Sequence, residues 1–359
     1  MPSKFFSTSP LFFAEQQTFI QSLPDSLSFS DAHKTNTSCV ASYLSHYRLD
    51  AIDPTLIDRH NMWQSTIDTK ENTYTIIQQH WSTAHKAQGT IVIVHGYLDH
   101  SGLYGRLVEW GLRQRYNVLC IDLPGHGLSS GTAASIKHFD TYTDVLEHIL
   151  LTNQKTLQQP LIAVGQSTGC AVIANSLLPK RQLKWQQKKS HEKQFEPSIT
   201  DSHTAHSQFQ QVIFLAPLVR STYWHSLRYL YFLLKPAITS LRRKFVDSSH
   251  DPKFNHFLQY DDPLQAKDIS LAWLGAMDEW CNTCKEISSN HPSTYHNTSV
   301  SIIQGTDDTT VDWHYNVNVL SHIFSNSHVY YVDGAKHHLV NESPSYWKTI
   351  EEQLTHIIQ

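Results

Sequence analysis

The chain has 359 residues, 40% of them hydrophobic, which is enough to bury one large α/β core or two smaller ones. Lys and Arg number 28 against 32 Asp and Glu, for a formal charge of −4, so the chain lacks the basic footprint of a nucleic-acid binder and no nucleic-acid partner is expected. No run of about eighteen apolar residues occurs, which argues against a membrane-spanning helix.

Residues 1–60 read as a polar, Ser/Thr-rich N-terminal extension with room for one helix. Its first residues lack the continuous apolar stretch of a secretory signal, and five cysteines in a long chain suit a reduced setting, so a cytoplasmic location is expected. Residues 63–67 and 73–81 alternate as a strand pair, and a regular alternation of strands and helices follows. Strands are expected at 90–95, 117–122, 161–165, 211–216, 300–304 and 328–332, and helices at 103–114, 139–151, 170–178 and 344–358. This order predicts an α/β fold, a mostly parallel sheet with helices on both faces. The core spans 61–219 and 296–359, interrupted twice. Residues 179–210, dense in Lys, Gln, His and Ser, read as a polar loop insertion. Residues 220–295 are helical in character and aromatic, and should fold over the carboxyl edge of the sheet as a cap.

The chemistry begins at Gly165-Gln166-Ser167-Thr168-Gly169, placed between an apolar strand and an apolar helix. A sharp strand-to-helix turn holds a serine hydroxyl out of the backbone, and its crowding leaves no room for side chains two residues either side. The bland reading is a βα turn that happens to contain serine and glycine. A nucleophilic serine also needs an acid and then a histidine, each after a later strand. The strand at 300–304 runs into Gly305-Thr306-Asp307-Asp308, and that at 328–332 into Gly334-Ala335-Lys336-His337-His338.

Four motifs in order give a resemblance. His95-Gly96-Tyr97-Leu98-Asp99-His100-Ser101, Asp122-Leu123-Pro124-Gly125-His126-Gly127, the serine turn and Gly334-Ala335-Lys336-His337 are similar to those of α/β-hydrolases of the monoacylglycerol lipase, lysophospholipase and serine-aminopeptidase-like group, over roughly residues 65–359. The resemblance implies an α/β-hydrolase fold with Ser167 as nucleophile, Asp308 as acid and His337 as base. It also implies an oxyanion hole from the backbone N–H groups of Tyr97 and Thr168. It favours Asp308 over Asp307, which is otherwise a solvated turn residue, and His337 over His338, which stands where the family usually has Glu. His95 and His126 are expected to be structural, bonding loop backbone.

The implied activity is hydrolysis of lipid-like carboxylic esters (a monoacylglycerol, a lysophospholipid or a short-to-medium acyl ester), with no cofactor and no metal. The alternatives are an aminopeptidase or amidase using the same three residues, and a silent hydrolase fold used for binding. The stretch at 227–244, apolar and basic, reads as a cap helix over the site or as a contact with a membrane surface. Cys281 and Cys284 lack a second pair at metal-ligand spacing and read as a plain helical pair.

Overall fold

A computed structural model describes residues 38–178, 208–290 and 298–359, together with Ile20, Leu23 and Arg181. Most of the expected loop insertion at 179–210 and most of the N-terminal extension lie outside the described residues.

Eight strands make one sheet: β1 (Ile57–Asp68), β2 (Thr73–Thr83), β3 (Thr90–Val94), β4 (Asn117–Ile121), β5 (Leu161–Gln166), β6 (Gln211–Leu215), β9 (Ser299–Gly305) and β10 (Ser327–Val332). Their order across the sheet is β1-β2-β4-β3-β5-β6-β9-β10. The β1–β2 hairpin and the β2–β4 pairing are antiparallel, and every other neighbour is parallel. A further antiparallel pair, β7 (Ser240–Arg242) with β8 (Asp268–Ser270), lies in the segment between β6 and β9.

The sheet is buried on both faces, and a period of two divides it. In β3 the side chains of Val92 and Val94 join one apolar cluster, and those of Ile91 and Ile93 the other. The first cluster is closed by α3 (Asp140–Thr152), α4 (Thr168–Leu177), α7 (Leu271–Asn290) and α8 (Trp313–Ile323). The second is closed by α2 (Gly105–Arg113) and α9 (Pro344–Ile358), and by α1 (Ser38–His46) from the N-terminal region. Tyr43, Tyr47 and Leu49 are buried there, so this part of the extension packs into the core. Each large apolar side chain so covered contributes about 1.5–3 kcal/mol.

Between β6 and β9 the chain forms α5 (Trp224–Leu234), the short α6 (Pro252–His256) and α7. Cys281 and Cys284 lie in α7 as buried free thiols, in keeping with a plain helical pair.

Candidate active site

β5 ends at Gln166, and Ser167 turns the chain into α4 with φ 53° and ψ −110°. Such a positive φ is uncommon for a residue with a Cβ and persists only where the surroundings impose it. Here they do. The Ser167 N–H donates to the Leu215 carbonyl at 2.9 Å, and its own carbonyl accepts from the N–H groups of Cys170 at 3.1 Å and Leu218 at 3.2 Å. A Cβ on Gly165 would stand 2.6 Å from the Cys170 nitrogen, and one on Gly169 would overlap the Val94 carbonyl oxygen. The expected crowding around the serine is therefore present.

β9 delivers Asp308 and β10 delivers His337 to the same edge of the sheet. Asp308 Oδ2 lies 2.7 Å from His337 Nδ1. Its other oxygen accepts from the N–H groups of Thr310 at 2.8 Å and Val311 at 3.2 Å. Gln304 Nε2 donates to Oδ2 at 3.2 Å. Burial disfavours the charged imidazole of His337, but the Asp308 charge and hydrogen bond outweigh it, and the pKa rises above 6.5. Asp307 is exposed.

His338 goes elsewhere. Its Nε2 is 3.3 Å from Asp99 Oδ2, an ion-pair distance without hydrogen-bond geometry. Asp99 also accepts from the Tyr104 hydroxyl at 3.0 Å. Burial alone would raise the Asp99 pKa; the His338 charge and the Tyr104 hydroxyl reverse this and hold the carboxyl well below the usual carboxylate range.

Thr168 is the first residue of α4, where an N–H has no acceptor within the helix. Tyr97 lies on the loop after β3, and its ring stacks on Trp273 of α7 with centroids 3.5 Å apart and planes at 12°. The Tyr97 hydroxyl donates to the Ala134 carbonyl at 2.8 Å and accepts from the Ser270 N–H at 3.3 Å. The loop carrying Tyr97 is thus fixed by the segment inserted between β6 and β9. His95 and His126 bond backbone as expected. His95 Nδ1 reaches the Gly96 carbonyl at 2.7 Å while its Nε2 accepts from the Leu123 N–H at 2.9 Å, and His126 Nδ1 reaches the Pro124 carbonyl at 3.0 Å. Burial pushes their pKa values down to about 4 and about 3, so both rings are neutral at pH 7.

The supporting roles of several residues went unread in the sequence. Gln166 Nε2 donates to the His337 carbonyl at 2.9 Å, tying the histidine loop to the residue before Ser167. Glu342, fully buried, accepts from Lys336 N–H at 2.7 Å and His250 N–H at 2.8 Å, and stands 3.0 Å from His250 Nδ1. The Ser249 hydroxyl donates to the Asn341 carbonyl at 2.7 Å, and the His338 N–H to the Ser248 carbonyl at 2.8 Å. The signal for Gln166, and for Gln304, was an amide in an otherwise apolar buried strand, which must find a partner.

Ser167, Tyr97, Thr168 and His337 line one cavity of about 270 Å³. Its apolar wall includes Leu218, Leu227, Leu258, Trp273, Leu274 and Met277, most of them from the inserted segment. Asp99, Arg243 and Lys244 are its charged lining residues besides the two histidines.

Comparison with known proteins agrees with this architecture. Residues 85–188 match the family model described as serine aminopeptidase, S33. The monoglyceride lipase homolog of monkeypox virus is 24% identical over 289 residues, covering 79% of this chain and 94% of that protein. A soluble variant of monoglyceride lipase from Saccharomyces cerevisiae, solved with a substrate analog, superposes with a TM-score of 0.66 at 16% identity, covering 85% of this chain and 96% of that one. A carboxyl esterase from Bacillus coagulans, solved with glycerol, superposes with a TM-score of 0.59 at 14% identity over 83% and 97% of the two chains.

Proposed function

We propose that this chain is a serine hydrolase of the serine aminopeptidase S33 family of α/β-hydrolases, and that it cleaves carboxylic esters of lipid-like substrates. The observation that carries the proposal is the 2.7 Å Asp308–His337 pair, whose histidine lines the cavity that the conformationally forced Ser167 also lines. With Nδ1 committed to Asp308, the proton of His337 sits on Nδ1 and Nε2 keeps its lone pair. Nε2 takes the Ser167 proton as Oγ attacks the ester carbonyl, and Asp308 steadies the imidazolium that forms. The N–H groups of Tyr97 and Thr168 serve the developing oxyanion, each such donor being worth ~10²–10³ in rate. Collapse expels the alcohol with the proton from His337, leaving an acyl-serine that water cleaves by the same sequence.

The substrates in view are a monoacylglycerol, a lysophospholipid or a short-to-medium acyl ester. Supporting them are the apolar wall of the cavity and the likeness to a monoglyceride lipase homolog. An aminopeptidase would need a free carboxylate for the substrate ammonium. The cavity's candidate, Asp99, is already engaged by His338 and Tyr104, and Arg243 and Lys244 on the same wall would repel an ammonium.

Residues 220–295 act in this proposal as the cap, and as the site of peripheral contact with a membrane. Among the described residues no helix is long and apolar enough to cross one. Eight of the nine exposed large hydrophobic residues among those described nevertheless fall between Tyr223 and Tyr260, including Tyr229 at 73%, Leu233 at 62% and Phe232 at 46% exposure. Lys235 stands beside the Tyr231 and Phe232 rings, as suits an interfacial helix on an anionic lipid surface. A cytoplasmic enzyme would keep its five cysteines as the free thiols found here.

The test is labelling by a fluorophosphonate together with an acyl chain-length profile on p-nitrophenyl esters, for wild type and Ser167→Ala. Labelling at Ser167, with ester turnover that the substitution abolishes, is expected. Folded wild-type protein that neither labels nor turns over an ester would refute the proposal.

A further inference from the structure

A second cavity of about 370 Å³ adjoins the first, and Arg243 and Leu258 line both. Its wall carries Arg242, Arg243 and Lys267 and no carboxylate. Arg242 stands 3.5 Å from Asp268. Arg243 is different: among the described residues its guanidinium has no hydrogen bond and no ion pair, only the Phe245 ring 5.4 Å away. It is half-buried, and the carboxylate whose charge acts on it, Asp99, is already engaged by His338. A guanidinium offers five N–H donors in a planar fork suited to carboxylate or phosphate, so leaving it unpaired in a partly desolvated place is costly. Gln265, on the same wall and 93% buried at 7% exposure, also has neither amide atom hydrogen-bonded among the described residues. Two unpartnered polar groups converge where no acid answers them.

Resting on the ester-hydrolase proposal above, we infer that this second cavity is an anion subsite in which Arg243, assisted by Gln265 and Lys267, binds a phosphate or carboxylate carried by the ester substrate. Because Arg243 borders both cavities, one molecule can place its carbonyl at Ser167 and its anion at the guanidinium. The favoured substrate is then an anionic acyl ester rather than a neutral one.

Three dodecanoyl esters, used below micelle formation, test this: 1-dodecanoylglycerol, its 3-phosphate, and 3-dodecanoylglycerate. The readout is the ratio of kcat/KM for each anionic ester to that for the neutral ester on the same preparation, which cancels the folded fraction. Wild type should give a ratio above one for at least one anion, and which one identifies the group as phosphate or carboxylate. Arg243→Met should lower that ratio fivefold or more, chiefly through KM, and Gln265→Leu should lower it in the same direction. A wild-type ratio at or below one for both anions, or a fall of less than fivefold in Arg243→Met, overturns the subsite while leaving the ester-hydrolase proposal standing. Hydrolysis of none of the three esters overturns the subsite; if folded wild type also neither labels with fluorophosphonate nor turns over a p-nitrophenyl ester, the ester-hydrolase proposal falls with it.

Discussion

Replacing Asp308 by Asn probes the proposed chemistry at its most exposed point. The carboxylate is nearly isosteric with the amide, so the loop bonds to Thr310 and Val311 can survive through the remaining carbonyl oxygen. What is lost is the charge 2.7 Å from His337 Nδ1. At that separation and an effective dielectric of about 20, the attraction between carboxylate and imidazolium is roughly 6 kcal/mol. Removing it from a transition state that carries the imidazolium is enough for a loss on the order of 10⁴ in kcat, equivalent to about 5.5 kcal/mol. The pH profile moves as well, and its sign follows from the causes of the shift. Burial lowers the His337 pKa and Asp308 raises it, with a net rise above 6.5. The base must be neutral to act, so wild-type kcat/KM should fall as pH drops through a value above 6.5. With the Asp308 carboxylate gone, burial is opposed only by the smaller effect of the Asp99 charge, and the inflection should move below 6.5. Stopped-flow hydrolysis of a p-nitrophenyl ester between pH 5 and 9 measures both quantities. An Asp308→Asn variant that keeps its rate within tenfold, or whose inflection stays in place, would refute the assignment of Asp308.

Gly169→Ala places a methyl group against the Val94 carbonyl and should destabilise the fold by about 1–3 kcal/mol in urea titrations while sharply reducing fluorophosphonate labelling. His338→Leu leaves the buried Asp99 carboxylate without its partner and should cost about 3–5 kcal/mol at pH 7. In wild type the depressed Asp99 pKa contributes stability that is present above the ordinary carboxylate range and fades as pH falls through it. The difference between the two proteins should therefore shrink as pH is lowered toward 4, a trend that denaturation curves at several pH values would reveal. Trp273→Ala removes the ring stacked on Tyr97 and should lower kcat more than it raises KM, because it loosens an oxyanion donor and not the acyl wall alone.

Much of this architecture is legible in the sequence because a strand buried on both faces has little choice of composition. Residues Ile91–Val94, all buried, are an unbroken apolar run, and all eight strands of the main sheet announce themselves by such runs or by alternation. The hairpin extends beyond 63–67 and 73–81 at the Ile57 end, where Asp58 bulges out, the register shifts between Ile57 and Arg59, and the alternation breaks. Helix α8 is hidden for a related reason. Asn316 is fully buried on it and bonds the carbonyls of Pro217 and Arg220, which puts a polar residue where the apolar period should continue. The three-residue strands β7 and β8 are too short to carry any period. The candidate serine, acid and histidine are legible because each sits in a motif of its own at the end of a strand. The contact of Tyr97 with Trp273 and the isolation of Arg243 depend on how distant segments fold against each other, and nothing local encodes them.

The bonds around Glu342 have a mechanical consequence. Residues 248–251 are tied to the loop bearing His337 through the carbonyls of Ser248 and Asn341 and through both carboxylate oxygens of Glu342. That stretch of the inserted segment cannot swing outward without dragging the proposed general base off its station. If the inserted segment opens, the expected entrance is therefore the neighbouring stretch around α5, where greasy side chains already face the solvent.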